Sequence, residues 1–124
     1  MKINKINKEF DVKNSRKNAF IRDRLQLIIQ KDLQNYIDIS GVLITIINTI
    51  LSNQGHTLKV YLNVIPDNQK ENIVDILNSN KSIIRKILGN ALANDLKHIP
   101  DLEFFLDTSF ERIQKIENLL KNID

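Results

Sequence analysis

Two groups of side chains in this sequence are spaced so that they can do chemistry, and both are cationic. The first is the run Asn80-Lys81-Ser82-Ile83-Ile84-Arg85-Lys86. A helical apolar period starts inside it, so the run reads as the opening of a helix. There the backbone N–H groups lack intrahelical partners and the helix dipole presents its positive end, a combination that draws phosphate. Lys81, Arg85 and Lys86 add three cations within about one turn, and Asn80 and Ser82 add hydrogen-bonding groups. Phosphate contact there would position a nucleic acid without reading its sequence. The plainer alternative is a capped helix with a solvated basic turn. The second group is Lys17, Arg24 and Lys31, one every seven residues, which on a helix falls only about 20° short of two full turns. With Arg16 close by, they form a row whose stems can lie over core residues while their heads follow a phosphate backbone or stay in water. Residues 1–31 hold nine basic and three acidic side chains, whereas residues 59–124 hold nine and ten. The positive charge is concentrated at the N-terminal side.

Other candidates are weaker. Tyr61, Phe105 and Lys59 fall on the outward face of a sheet if their strands pair, and aromatics on an open sheet can stack bases. An exposed aromatic pair is costly, so cover by Phe110, Ile113 or another part of the chain is expected. His56, in a polar turn, and His98, just before Pro100, read as surface residues without chemistry. Asp101, Glu103 and Asp107 read as solvated or capping carboxylates, since no general-acid environment surrounds them in the sequence. Asn80-Lys81-Ser82 also matches a glycosylation sequon, which is read as coincidence. The chain contains no cysteine and two histidines, so thiolate zinc sites, disulfides and cysteine nucleophiles are excluded and a histidine metal cage nearly so. Enzymes are not ruled out by this, but the usual equipment is missing, and no metal is expected.

At 124 residues with a net charge of +3 and 42% apolar side chains, a single folded domain is the default. Isoleucine (21), asparagine (16) and lysine (13) make up a large share of the chain. All three have codons rich in A and T, so their abundance has a genomic explanation and only their positions carry weight. The first ten residues lack the apolar run of a secretory signal, and Glu9 and Asp11 argue against an organellar transit peptide. The most apolar stretch, Val42 to Leu51, is too short to span a membrane. A cytoplasmic protein without membrane contact is expected.

The elements that position these groups follow from periodicity. Residues 1–13 read as a flexible basic arm, and Ser15 as the N-cap of a helix reaching Leu33 or Tyr36. Ile21, Leu25, Ile28, Ile29, Leu33 and Tyr36 form its apolar stripe. Val42 to Leu51 is β-branched and apolar on both faces, hence a central or bulged strand. Thr57 to Ile65 alternates with Leu58, Val60, Leu62 and Val64 inward, pairs with it as an antiparallel hairpin, and ends at Pro66. Asp67 is placed as the cap of a second helix, which the polar Asn78-Ser79-Asn80 interrupts. A third helix runs from Ser82 to Leu96, a third strand from Leu102 to Asp107, and a closing helix, capped by Thr108 or Ser109, from Phe110 to Asn122. Ile113, Ile116, Leu119 and Leu120 share one side of that last helix.

The order α-β-β-α-α-β-α is that of type II KH domains, with one helix added. The run Pro100-Asp101-Leu102-Glu103-Phe104-Phe105-Leu106-Asp107-Thr108-Ser109-Phe110 resembles the Pro-x-Leu-x-Phe-x-x-Asp-x-Ser segment of the bacterial ribosome-binding factor A family. Lys59-Val60-Tyr61, Ile84-Arg85 with Leu88-Gly89, and Leu119-Leu120 follow in that family's order from Ser15 to Leu120. The resemblance implies an α+β, single type II KH-like domain over residues 14–124. It further implies a non-catalytic assembly factor of the small ribosomal subunit, with no catalytic residue and no cofactor. Such a factor would bind free 30S rather than 70S particles through 16S rRNA, as a monomer and without a small-molecule substrate, and would assist 5′-end processing, particularly in the cold. Residues assigned to RNA on this reading are Asn80, Lys81, Ser82, Arg85, Lys86, Arg16, Lys17, Arg24, Lys31 and Lys59. Where the family has an Ala-x-Gly kink between helices, this chain has Asn80-Lys81-Ser82. The competing reading is a protein-interaction module that docks through its closing helix.

Overall fold

Helical and alternating periodicities resolve into four helices and three strands in a computed structural model, which describes residues 16–121. The expected N-terminal arm and the Ser15 cap lie outside the described residues. Helix α1 covers residues 16–27 and continues through a π turn, Ile28–Asp32, into a 3₁₀ turn, Leu33–Asn35. Its stripe Ile21, Leu25, Ile28, Ile29 and Leu33 is buried, but Tyr36 is exposed. The change of winding after Leu27 carries Tyr36 past the end of the stripe that an uninterrupted 3.6-residue period predicts.

Strands β1 (Leu43–Leu51) and β2 (Thr57–Ile65) form an antiparallel hairpin. Its turn needs Gly55, which sits at φ +75°, a region disfavoured for a residue with a Cβ. The Ser52 hydroxyl oxygen accepts the N–H groups of His56 and Thr57, both at 3.1 Å. Strand β1 is bulged: Ile46 faces Leu62 and Asn48 faces Tyr61, leaving Ile47 without a partner. The bulge reverses the alternation, so Ile44 and Ile46 point inward before it and Thr49 and Leu51 after it. Two apolar faces in sequence are therefore the mark of a bulge on an edge strand; β2 is the central strand.

Helices α2 (Lys70–Ser79) and α3 (Lys81–Leu92) carry the chain across to β3 (Asp101–Leu106), parallel to β2, before α4 (Ser109–Lys121). Several expected boundaries move. Asp67 does not cap α2: Pro66 precedes a 3₁₀ turn, Asp67–Gln69, and the Asp67 carboxylate pairs with Lys70 at 3.4 Å. The second helix runs through Asn78 and Ser79, so Asn80 alone separates it from α3. Helix α3 stops at Leu92, not Leu96, and β3 begins and ends one residue earlier than alternation suggests. One face of the sheet carries Val60, Leu62, Leu102 and Phe104 into a core with Ile73 and Leu77 of α2 and Ile84, Leu88 and Leu92 of α3.

Side-chain amides occupy both edges of this sheet. On β1, Gln26 Nε2 donates to the Ile44 carbonyl at 3.0 Å and its Oε1 accepts the Ile46 N–H at 2.7 Å. Asn18 donates to the Thr49 carbonyl and accepts the Thr49 hydroxyl, both at 2.7 Å, which satisfies the polar group buried at that position. On β3, Asn78 Nδ2 donates to the Phe104 carbonyl and its Oδ1 accepts the Phe104 N–H, both at 2.9 Å.

Candidate nucleic-acid interface

Helix α1 runs antiparallel to β1, since Asn18 bonds Thr49 while Gln26 bonds Ile44 and Ile46. Arg16 and Lys17 are thereby brought to the end of the sheet that holds the β1–β2 turn. The Lys17 ammonium hangs over that turn, 3.5 Å from where a Cβ on Gly55 would sit. The start of α3 is at the same end: Lys81, Ser82 and Arg85 share a cleft with Thr57, Asp101 and Glu103. Lys31 is fourteen residues from Lys17, about 21 Å along a helix, toward the opposite end. The seven-residue row therefore does not act at one spot, and Lys31 lies within the π turn, off the line the row predicts. Arg24 is exposed between the two ends, and Lys59 is exposed on the outward sheet face.

The helix junction differs in detail from the sequence expectation. Asn80 has φ −114° and ψ 17°, a backbone any residue adopts, so the bend between α2 and α3 needs no glycine. The Asn80 side-chain amide is already used, donating to the Ile76 carbonyl of α2 at 2.8 Å, and it does not cap α3. Ile83 and Ile84 donate to the Asn80 carbonyl. The first N–H groups of α3, on Lys81 and Ser82, are left without a capping side chain among the described residues. Arg85 is likewise committed within the fold. Its Nη2 donates to the Ile99 carbonyl at 2.8 Å and its Nε lies 3.3 Å from the Asp101 carboxylate. It clamps the entry of β3 onto α3, with a solvent-exposed carboxylate beside its charge. The junction is thus not a carboxylate-free cation cluster. Lys81 and Lys86 are its exposed charges, and neither has an ion-pair partner among the described residues.

Other predicted positions are placed as follows. His56 and His98 are exposed, and their rings come together with centroids 5.1 Å apart, a proximity that forty-two residues of separation conceal. The His56 carbonyl accepts the Asp101 N–H at 2.8 Å, joining the hairpin turn to β3. Asp107 accepts the Ser109 hydroxyl at 2.6 Å and the Ser109 N–H at 2.9 Å. Those bonds, the hydroxyl first, hold its carboxyl below its ordinary value. Tyr61 and Phe105 stack with centroids 5.4 Å apart and planes at 25°. Phe105 is 37% exposed and Ile113 54%, whereas Tyr61 is half-buried; the side chain of Phe110 lies outside those described. Among the described residues no three His, Asp or Glu side chains are grouped to hold a metal ion. No described helix is long and apolar enough to cross a membrane.

A sequence model of ribosome-binding factor A matches residues 13–120. The chain belongs to the ribosome-binding factor A family. Among relatives of that name, the protein from Chlamydia pneumoniae is 33% identical over 109 residues, covering 87% of this chain and 88% of its own length. That from Chlorobaculum parvum is 29% identical over 106 residues, covering 85% of each. The crystal structure of ribosome-binding factor A from Thermus thermophilus superposes with a TM-score of 0.56 at 21% identity, over 72% of this chain and 94% of that one. A Thermus thermophilus ribosome binding factor A fitted into a cryo-EM map of a 30S complex gives 0.55 at 20% identity, over 72% and 93%. These ribosome-binding factor A structures share the α+β, type II KH-like fold described above.

Proposed function

We propose that this chain is a non-catalytic assembly factor that docks on the small ribosomal subunit through 16S rRNA. It would favour free 30S over 70S particles and act as a cytoplasmic monomer. It would assist maturation of the 5′ end, with its strongest effect in the cold. Membership of the ribosome-binding factor A family across residues 13–120 carries the reading, and the Thermus thermophilus relative fitted into a 30S complex supports the partner. The geometry supplies a physical means. Arg16, Lys17 and Lys81 share one end of the sheet with the uncapped start of α3, and Lys86 lies a little over one turn further along. Arg24 on α1 and Lys31 in the π turn add positive charge further from that end. Asn80 and Arg85 serve the fold and act on RNA only by holding the junction in place. Co-sedimentation with free small subunits and with 70S particles tests the reading. Retention on 30S alone, weakening steeply with salt, is expected; equal retention on both, or none, overturns it.

A second reading has one observation behind it. Ile113, Ile116, Leu119 and Leu120 of α4 are 54–61% exposed, so α4 leaves its apolar side open to a partner. Truncation after Ser109 separates the two. Lost protein partners with intact rRNA binding favour docking through α4, whereas unchanged partners remove it.

A further inference from the structure

The sheet face opposite α1, α2 and α3 carries an aromatic pair at its centre. In register, Asn48 of β1, Tyr61 of β2 and Phe105 of β3 form one row across it, and Ile50, Lys59 and Glu103 form the next. Tyr61 and Phe105 are stacked on each other, with Phe105 37% exposed and Tyr61 half-buried. A cleft beside them is bounded by Ile50 and Tyr61 on one side and Arg112 at the start of α4 on the other. Of the nearby carboxylates, Asp107 holds Ser109 and feels the Arg112 charge, Glu111 lies 3.6 Å from the Lys70 ammonium, and Glu103 faces Lys59 across the strands. Lys59 and Arg112 have no ion-pair partner among the described residues. Two cations without an ion-pair partner among the described residues therefore flank a partly exposed aromatic pair, with Asn48 in the same row.

We propose that this face is a stacking platform for unpaired nucleobases. The rings of Tyr61 and Phe105 take one or two bases, and Lys59 and Arg112 take the phosphates on either side. The requirement is for single-stranded RNA, because stacking on a protein ring needs a base that has left its own helix. The surface lies on the opposite side of the sheet from the α2–α3 junction. The inference rests on the rRNA-binding reading for its biological setting and names a second, separate contact.

The test uses the full chain. It has two tyrosines and no tryptophan, so Tyr36→Phe leaves Tyr61 as the reporting fluorophore. Titration with an oligouridylate of about 12 nucleotides should quench that emission, and a perfectly paired RNA duplex of equal length should not. Phe105→Leu keeps apolar bulk but removes a ring, and should weaken oligouridylate binding at least about fivefold, the lower end of what one stacked base contributes. Phe105→Trp should restore it. The quench measurement stands even if Phe105→Leu fails to fold. An unquenched Tyr61 overturns the platform, and so does quenching by duplex as strong as by single strand. Phe105→Leu weakening small-subunit association while Tyr61 stays unquenched by oligouridylate overturns it in favour of a ribosomal protein on this face. Normal retention on free small subunits in any of those cases leaves the rRNA-binding reading standing, whereas absent retention removes that reading independently.

Discussion

Replacing Lys81 and Lys86 together by Ala removes two exposed ammonium groups that pair with no carboxylate among the described residues. If both meet phosphate, their loss lowers the slope of log K against log salt by about 1.4–1.8, at roughly 0.7–0.9 per contact. At about 0.1 M salt that is a weakening of roughly 25- to 60-fold. Stability should hardly move, because neither side chain makes a contact that the fold uses. Arg85→Ala should behave in the opposite way. It deletes a 2.8 Å bond to the Ile99 carbonyl and the 3.3 Å approach to Asp101. A hydrogen bond from a charged donor contributes about 1.5–3 kcal/mol when buried. The Arg85 side chain is 41% exposed, so about 1 kcal/mol is the reasonable expectation, with the exposed ion pair adding a few tenths at most. The urea midpoint should fall while the salt slope stays at the parent value. Anisotropy of labelled small subunits across a potassium chloride series, paired with urea unfolding of each variant, reads both quantities. A slope lost in Arg85→Ala and retained in the double lysine variant would refute the assignment of clamp and contact.

Three further outcomes are expected. Asn78→Ala strips two hydrogen bonds from the Phe104 backbone and should cost about 2 kcal/mol in urea unfolding; a loss below about 0.5 kcal/mol would mean water replaces the amide. Gly89→Ala should stabilise by up to about 1 kcal/mol, because the new Cβ would meet only Ile99 at an ordinary 3.5 Å; a lower melting temperature would contradict it. Asp107 has its carboxyl pKa depressed by the Ser109 hydroxyl and N–H. Its contribution is complete above its ordinary value of 3.8 and is lost as pH falls through the lower folded value. Acid unfolding followed by circular dichroism should therefore lose part of its pH dependence below that value in Asp107→Asn.

The element order was legible because period 3.6 and period 2 are separated cleanly in α1, β2 and β3. What was not legible depends on distance in sequence. The partners of Arg85 are Ile99 and Asp101, fourteen and sixteen residues away, and no spacing announces them, so the side chain reads as a free cation. The edge amides of Asn18, Gln26 and Asn78 are hidden twice, once by the compositional excess of Asn and once because their targets are backbone groups. The bulge at Ile47 was visible only as an ambiguity, two apolar faces on one strand. The outward aromatic pair was placed correctly by alternation, but whether anything covers it is a tertiary property that alternation does not contain.

The amides along β1 and β3 tie the fate of the sheet to that of the helices. Gln26, Asn18 and Asn78 reach their strands only while α1 and α2 stay docked, so loosening either helix bares an adhesive ribbon of backbone at the same moment that it exposes the core. Partial unfolding of this protein should accordingly run toward strand-to-strand clumping between molecules instead of a quiet, reversible intermediate.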